Sequence, residues 1–247
     1  ERRLPEILEA LADGESSALR QIEALFALQT EALLANPLLD FDRLLVLKRG
    51  VSSPRLGLPQ NWQSNASLPR RGWDDELVVL SPVRPGGQLT TLYRPQTDRF
   101  VGDVDLDFSG ERLLFSSIDA QDCWQIFELK ADGTGLRQVT PTEPERDVHN
   151  FDGCYLPDGR IIFSSTAVVA AVACVNGSDL VATLFRIDPD GRHMRQLCFD
   201  QEQNWCPTVL NNGRVLYQRW EYTDTPHAHA RLLFHMNPDG TAQMEYY

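Results

Sequence analysis

The chain has 247 residues, of which 42% are hydrophobic and 23% charged, a composition typical of a globular protein. Its 35 acidic and 23 basic residues give a formal net charge of −12. This charge argues against a surface for nucleic acid or anionic membranes, because both attract clustered lysine and arginine. The longest apolar run, residues 167–175, is too short to cross a bilayer, so we expect no membrane insertion.

The ends of the chain indicate a fragment, and the spacing of its cysteines argues against several classes of metal and redox site. The chain begins at Glu1 without a signal-peptide pattern, and residues 244–247 resemble the middle of a strand, so we expect a fragment of a longer polypeptide. The sequence contains neither C-x-x-C nor C-x-x-C-H, which argues against a zinc ribbon, a thioredoxin-type redox pair or covalent c-type haem in this segment. The cysteines are odd in number and irregularly spaced: Cys123, Cys154, Cys174, Cys198 and Cys206.

Residues 1–38 form the first predicted domain, a helical segment. Apolar residues follow the 3.6-residue helical period from Leu4 to Leu11, and Gly14 interrupts the pattern. Ser16 or Ser17 can cap a second helix, which ends before Pro37 because proline disfavours the α conformation in its predecessor.

A short strand is predicted at residues 43–48, and a long polar loop at residues 50–75. Loops of this length in a compact domain are usually functional or disordered. Trp62 and Trp73 lie in this loop, so we expect it to pack against the rest of the protein.

From residue 76 onward, strand-like runs alternate with turn signals at a regular spacing. The first-turn glycines, Gly110, Gly159 and Gly213, are spaced 49 and 54 residues apart, and each precedes a strand with an aromatic centre. The second-turn glycines, Gly133, Gly191 and Gly240, are spaced 58 and 49 apart. The predicted strands are residues 77–83, 88–93, 112–117, 125–129, 136–140, 160–165, 182–187, 194–199, 214–220 and 231–236.

These signals define four repeats, at residues 41–95, 101–140, 151–199 and 205–247. The long polar loop is an insertion within the first repeat. A repeat of about 50 residues with four short strands is the signature of a β-propeller blade. We therefore predict a mainly β chain: a partial β-propeller of four-stranded antiparallel blades at residues 39–247, preceded by the helical segment.

Two levels of resemblance support this prediction. The segments LPDGRIIFSS and LFRIDPDGRHMRQL resemble the TolB-type propeller repeat. The segments NWCPTVLNNGRVLYQRWEYTDTPH, GLPQNW and LSPVRPGGQLTTLYRP resemble the propeller portion of bacterial proteins related to the hydrazine synthase alpha subunit, over residues 33–247. This resemblance implies a periplasmic or extracellular protein. Members with synthase activity join the propeller to haem-binding regions, so it implies haem only if sequence outside this segment supplies it.

His227 and His229 are the best candidates for metal ligands. In an extended segment both imidazoles share a face, and neutral imidazole binds zinc, copper or iron. Two ligands do not make a site, so a third would come from elsewhere, such as Asp224, Cys206 or His149. The alternative is an exposed loop with two solvated histidines.

A candidate ligand-binding loop follows the strand of the last repeat. Glu221 and Asp224 can act as acid, base or cation ligand, with Trp220 and Tyr222 beside them. The alternative is turn chemistry, in which the aspartate binds local backbone and the aromatic side chains pack between blades.

Other polar groups admit both structural and functional interpretations. Asp103, Asp105 and Asp107 alternate as in a calcium ladder or a solvated strand edge. The pairs at 116–117 and 164–165 recur at one blade position, which favours structural hydrogen bonds over nucleophilic serines. Cys198 and Cys206 can form a disulfide or remain free.

The leading hypothesis is a non-catalytic scaffold that holds other domains or subunits of a larger exported protein. A second hypothesis is a propeller that contributes His227, His229 and Asp224 to a redox or hydrolytic site completed elsewhere. A third is a cell-surface module that binds glycans or peptides. No catalytic residue is predicted, and no cofactor within this segment beyond a possible metal ion.

Overall fold

The computed structural model describes residues 4–12, 14, 16–57, 62–143, 145–221 and 231–246, with Leu4 and Cys174 as backbone only. Two helices come first, α1 (Leu4–Ala12) and α2 (Ser16–Leu34). The strands follow in this order: β1 (Leu44–Arg49), β2 (Asp75–Ser81), β3 (Gln88–Tyr93), β4 (Gly102–Leu106), β5 (Arg112–Ile118), β6 (Trp124–Lys130), β7 (Arg137–Gln138), β8 (Asn150–Tyr155), β9 (Ile161–Ser165), β10 (Thr183–Ile187), β11 (Arg195–Gln196), β12 (Asn204–Val209), β13 (Val215–Trp220), β14 (Arg231–Met236) and β15 (Met244–Glu245).

The chain divides into two compact units. The first comprises Glu1–Leu45 and Val79–Thr90, and contains both helices and the turn between β2 and β3. Gly14 separates the helices with a φ of 74°, a value that favours glycine. None of the described helices is both long enough and apolar enough to span a bilayer.

The second unit comprises Val46–Val78 and Thr91–Tyr247, and it contains three complete four-stranded sheets. In each sheet every strand pairs antiparallel with its neighbour in the chain, giving the orders β4-β5-β6-β7, β8-β9-β10-β11 and β12-β13-β14-β15. This confirms the prediction of a mainly β chain with propeller blades after a helical segment. We call these sheets blades A, B and C.

The first predicted repeat differs from the other three. It forms a three-stranded sheet in the order β1-β2-β3, where the sequence predicted four strands. The polar stretch of residues 50–74 separates β1 from β2. The fourth strand of the predicted unit is therefore absent from the described residues of this repeat.

Neighbouring blades meet at the second turn of each repeat. A Cβ atom on Gly191 would lie 2.7 Å from the carbonyl oxygen of Val139, and one on Gly240 would lie 2.9 Å from that of Leu197. Both glycines also have φ near 80–90°, so any side chain would be strained as well as crowded. The recurring glycines thus allow the turn of one blade to approach the last strand of the preceding blade.

Apolar side chains fill the space between blades. Leu114 and Ile126 of blade A join a buried cluster with Phe163 and Ile187 of blade B. On the opposite face of blade B, Ile162 joins a second cluster with residues of blade C. Blade B is apolar on both faces because it is sandwiched between blades A and C, as propeller packing requires.

Candidate functional site

The capping loop, which we define as residues 50–74, packs aromatic side chains against the start of the blades. Trp73 contacts Phe100 edge to face, with ring centroids 5.0 Å apart, and Phe100 contacts Trp124 at 4.9 Å. The indole Nε1 of Trp73 donates a hydrogen bond to the carbonyl oxygen of Pro69 at 2.6 Å. The buried cluster comprises Leu68, Trp73, Phe100, Ile118, Trp124, Phe151, Val172, Val181, Ala182, Trp205 and Trp220.

Polar contacts tie the same loop to separate blades. Asn65 Nδ2 donates to Asp103 Oδ2 of blade A at 2.6 Å. Gln203 Nε2, just before blade C, donates to the carbonyl oxygen of Trp62 at 2.7 Å. The expectation that the loop packs against the rest of the protein is therefore confirmed for its described residues.

Each complete blade has a β-bulge in its first strand, at the same position of the repeat. The first residues of the bulges are Asp103, Asp152 and Cys206, with φ of 49°, 58° and 51°. Positive φ is uncommon for residues other than glycine, and bulges often aim side chains at functional sites. Because β8 contacts both β4 and β12, these first strands form an inner wall. We call the three residues the inner-strand triad.

Hydrogen bonds connect the triad across the blades. The hydroxyl of Ser116 lies close enough to the carboxyl group of Asp103 to lower its pKa, and Ser116 Oγ accepts the backbone N–H of Asp152 at 2.9 Å. Asp152 Oδ2 in turn accepts the backbone N–H of Cys206 at 2.6 Å. Two carboxyl groups from neighbouring blades are thus held in one connected network.

Burial and mutual repulsion shift the acidities of the triad. Burial, followed by the nearby charge of Asp103, raises the pKa of Asp152 to about 7. Burial also raises the pKa of Asp103. Burial and the carboxyl group of Asp152 raise the pKa of the Cys206 thiol, so this cysteine is not an activated nucleophile. A pair of carboxyl groups in this setting is suited to hold a proton or a cation.

The three alternating aspartates do not form a calcium ladder. The bulge after Gly102 removes Asp103 from the alternation. Asp105 Oδ2 accepts the backbone N–H of Tyr155 at 2.8 Å, and Asp107 Oδ1 accepts that of Glu111 at 2.8 Å, which closes a turn. Only Asp103 of the three joins the triad.

A second cluster of possible ligand atoms lies beside the capping loop. The thiol of Cys123, a carboxylate oxygen of Asp147 and an imidazole nitrogen of His149 all lie within 4.8 Å of one another. Cys123 and His149 are buried, whereas Asp147 is exposed. His149 is one of the residues that could supply a third metal ligand, so the hydrogen bonds of its ring decide its role.

These hydrogen bonds favour a structural role for His149. Its Nδ1 accepts the backbone N–H of Trp124 at 3.3 Å, so the neutral ring carries its proton on Nε2, 3.2 Å from Asp147 Oδ1. A protonated Nε2 has no lone pair for a metal, and the Arg70 guanidinium lies 3.2 Å from it. Burial lowers the pKa of His149 and raises that of the Cys123 thiol, so both groups are neutral.

The candidate loop after β13 is described only at its beginning. Trp220 is buried in the aromatic cluster, and Glu221 forms an ion pair with Arg219 at 3.3 Å. Trp220 thus packs in the core, and the ligand-binding roles of Trp220 and Glu221 stay predictions. The remaining candidates lie outside the described residues, and their roles remain predictions: Tyr222, Asp224, His227 and His229.

The recurring serines of blade A make structural hydrogen bonds, as predicted. Ser117 Oγ donates to the carbonyl oxygen of Phe100 at 2.6 Å, and Ser116 Oγ accepts the backbone N–H of Asp152 at 2.9 Å. Cys198 and Cys206 are free thiols, as are Cys123 and Cys154, so the disulfide alternative does not hold for the pair 198–206.

Asp152 is not among the site residues predicted from the sequence. A signal for it exists, because the triad residues repeat at the same 49- and 54-residue spacing as the first-turn glycines, each seven residues before its glycine. The first strands were not assigned individually, since a bulge interrupts the alternation that identifies a strand.

Comparisons with known proteins show the fold. No protein-family model and no curated protein matches the chain. A TolB protein from Agrobacterium tumefaciens is 16% identical with a TM-score of 0.54, over 70% of this chain and 57% of that one. Hydrazine synthase from Kuenenia stuttgartiensis is 15% identical with a TM-score of 0.61, over 83% of this chain and 32% of that one.

A puromycin-hydrolyzing peptidase from Mycobacterium tuberculosis is 15% identical with a TM-score of 0.52, over 83% of this chain and 26% of that one. The chain therefore spans 57% or less of each of these three proteins. Their activities differ, and a shared fold does not imply a shared activity. The likeness shows that this chain has a TolB-type β-propeller fold.

Proposed function

We propose that this chain is a non-catalytic β-propeller scaffold in a larger exported protein related to the hydrazine synthase alpha subunit. In this proposal the free face of blade C binds a further domain or subunit. The observation that supports it is the difference in burial between equivalent residues of successive blades.

Ile126, Leu184 and Leu233 occupy the same position in the third strand of blades A, B and C, since each pairs with the equivalent residue of the second strand. Ile126 and Leu184 are fully buried, whereas Leu233 is 38% exposed. The blade that follows covers the first two: Ile126 clusters with Phe163, and Leu184 with Tyr217. No further blade covers Leu233 within the described part of the chain.

Other apolar side chains surround Leu233 on the same face of blade C. Leu216 and Met244 share this face, since both lie opposite His235 in the strand pairing. Met244 and Tyr246 are more than half exposed, and the Tyr246 ring contacts His235 edge to face at 5.4 Å. We call Leu216, Leu233, Met244 and Tyr246 the open face. Covering a leucine completely stabilises by about 1.5–3 kcal/mol, so a sheet at this face would bind favourably.

A matched pair of substitutions tests this proposal. In the 247-residue chain, Leu184→Asp is expected to lower the free energy of unfolding by roughly 4 kcal/mol, because it buries an unpaired charge. Leu233→Asp is expected to change it by less than about 1 kcal/mol. The same two variants are then compared in the protein purified from its source with its other domains or subunits. There, Leu233→Asp should lower the free energy of unfolding as much as Leu184→Asp does. The measurement is urea denaturation followed by circular dichroism.

The comparison between the two preparations separates the possible outcomes. A large cost of Leu233→Asp only in the natural assembly supports an occupied open face. A small cost in both preparations would show that nothing covers this face, and would refute the scaffold proposal.

The chemistry of the described residues supports a non-catalytic role. Burial raises the pKa values of the thiols of Cys154, Cys198 and Cys206, so none is an activated nucleophile at neutral pH. The cysteines of this chain also do not fit covalent haem, because no C-x-x-C-H is present. In this proposal any haem belongs to other regions of the protein.

The proposed periplasmic or extracellular location has support from the family resemblance. Fractionation of the source cells, followed by detection with an antibody to this chain, tests it. Recovery in the cytoplasmic fraction would contradict export.

A further inference from the structure

Blades A and B differ in the sign of the charge at one position of the repeat. In blade A, Glu128 of β6 lies opposite Arg137 of β7 in the strand pairing. In blade B, the equivalent pair is Arg186 of β10 opposite Arg195 of β11. The aligned segments LRQVT and MRQLC place the two arginines of the fourth strands at the same position. Blade B therefore has two facing arginines where blade A has a carboxylate facing an arginine.

In blade A, the carboxylate of Glu128 binds the positive charges around it. Glu128 Oε2 accepts the Nε–H of Arg137 at 2.7 Å, and Oε1 lies 3.8 Å from the guanidinium of Arg112. The hydroxyl of Tyr155, from blade B, donates to Oε1 at 2.8 Å. A buried carboxylate thus neutralises two arginines in the gap between blades A and B.

No carboxylate of the described residues takes this place in the next gap. Arg186 lies opposite Ile162 in the strand pairing, and Ile162 is on the face of blade B that packs against blade C. The Nε–H of Arg186 is buried and has no hydrogen-bond partner within the described part of the chain. Among the same residues, neither Arg186 nor Arg195 forms an ion pair.

The surroundings of Arg186 leave positive charge without an anion beside it. Burial, followed by the charges of Arg160 and Arg195, lowers the pKa of Arg186. Arginine stays protonated in proteins, and like charges opposite each other on neighbouring strands are destabilising. The carboxylates whose charges act on Arg186 are each hydrogen-bonded within their own turn: Asp158 by Arg160, Asp188 by His193 and Asp239 by Thr241.

This charge balance indicates an anion with two negative charges. Asp158 forms an ion pair with Arg160, so the charges of Arg186 and Arg195 remain to be offset. A guanidinium presents parallel N–H groups that match two oxygens of a phosphate or sulfate group. Arg195 is exposed and Arg186 is partly exposed, so an anion from solvent has access to both.

We propose that the guanidinium groups of Arg186 and Arg195 bind one phosphate or sulfate dianion at the face of blade B that packs against blade C. The anion takes the part that the carboxylate of Glu128 has in blade A. It is either a free ion or the end group of a larger molecule. This site is independent of what covers the open face.

Isothermal titration of sodium sulfate, sodium phosphate and phenyl phosphate into the 247-residue chain, in Tris buffer near neutral pH, tests the site. We expect one site per chain with a Kd on the order of 1 mM or below, because hydrogen bonds to charged groups are the stronger ones. Phenyl phosphate that binds more tightly than phosphate would indicate the end group of a larger molecule. Equal or weaker binding would indicate a free ion.

Arg186→Glu gives blade B the charge pattern of blade A and should weaken the Kd for sulfate at least about tenfold. Without added sulfate or phosphate it should also raise the Tm by roughly 2 °C, because an ion pair replaces a pair of like charges. Lost binding together with a raised Tm cannot result from misfolding. Arg195→Ala should weaken the Kd about tenfold, and this exposed residue keeps the test decisive if Arg186→Glu fails to fold.

Arg192→Ala is the matched control, because Arg192 is an exposed arginine in the adjacent turn, 3.8 Å from Asp190. Its Kd for sulfate should equal that of the wild-type chain. Absence of binding of all three anions to the folded wild-type chain at about 10 mM would overturn the proposal. Equal binding of sulfate by the wild type and by Arg195→Ala would also overturn it.

Discussion

Replacing Trp73 with alanine is expected to lower the free energy of unfolding by about 3–5 kcal/mol, the usual cost of truncating a buried aromatic side chain. Trp73 is only 2% exposed, and its ring contacts Phe100 at 5.0 Å. The Arg49 guanidinium lies over the same ring at 4.9 Å, and the indole N–H is bonded to Pro69. The substitution therefore opens a cavity and removes a hydrogen bond and a cation–π contact together.

Urea denaturation followed by far-ultraviolet circular dichroism measures this loss without depending on tryptophan fluorescence. Phe108→Ala is the control, because Phe108 is 68% exposed and its truncation should cost less than about 0.5 kcal/mol. A loss below about 1 kcal/mol for Trp73→Ala would mean that the capping loop is not part of the core. The length of the capping loop would then have to be explained by a function and not by its contribution to stability.

Replacing Asp152 with asparagine is expected to stabilise the chain at pH 8 and to leave its stability unchanged near pH 3. In the folded chain the pKa of Asp152 rises from 3.8 to about 7, so the folded state binds a proton more tightly than the unfolded state. Between these values wild-type stability falls as the pH rises, and the full cost is present above pH 7. Asparagine is neutral and can still accept the N–H of Cys206, so it removes this cost.

The expected gain at pH 8 is roughly 2 kcal/mol. A rise in pKa of this size corresponds to about 4 kcal/mol for an isolated buried carboxyl group. Solvent screens part of that energy, because the side chain is partly exposed. Denaturation curves measured at intervals between pH 3 and pH 8 give the effect of the substitution at each pH.

The control for the pH series is Asp190→Asn, because Asp190 is an exposed carboxylate in a turn of blade B. The effect of this substitution on the free energy of unfolding should stay within about 0.5 kcal/mol at every pH. An equal gain for Asp152→Asn at pH 3 and pH 8 would contradict the assignment. The substitution would then affect stability through packing, because the effect of removing a titrating charge depends on pH.

The fold was largely predictable because its information is local and repeated. Gly159 and Gly213 mark turns by their backbone freedom, and the strands after them share one apolar pattern. Repetition of that pattern indicates sheets that must stack, since no single blade can bury its own faces. The three-stranded first sheet was the exception, because pairing within it depends on long-range contacts across the capping loop.

The candidate site was much less predictable. Asp103 was singled out with its neighbours in sequence, but its important neighbour is Asp152 in the next blade. Bulges set the direction of these side chains, and a bulge breaks the alternation from which strand faces are inferred. The role of His149 likewise depended on which backbone N–H faces its Nδ1, which residue types do not reveal.

By itself, the sequence determined the repeat, the turns and the two-faced apolar blades of this protein, since these depend on residues close together in the chain. Only the tertiary structure decided that two carboxyl groups 49 residues apart share one network and that Leu233 is exposed where Leu184 is buried. Proximity between blades depends on how sheets stack and bulge, and burial depends on whether a neighbour is present. Neither the proximity of two blades nor the burial of a residue by its neighbour can be deduced from one segment of the sequence.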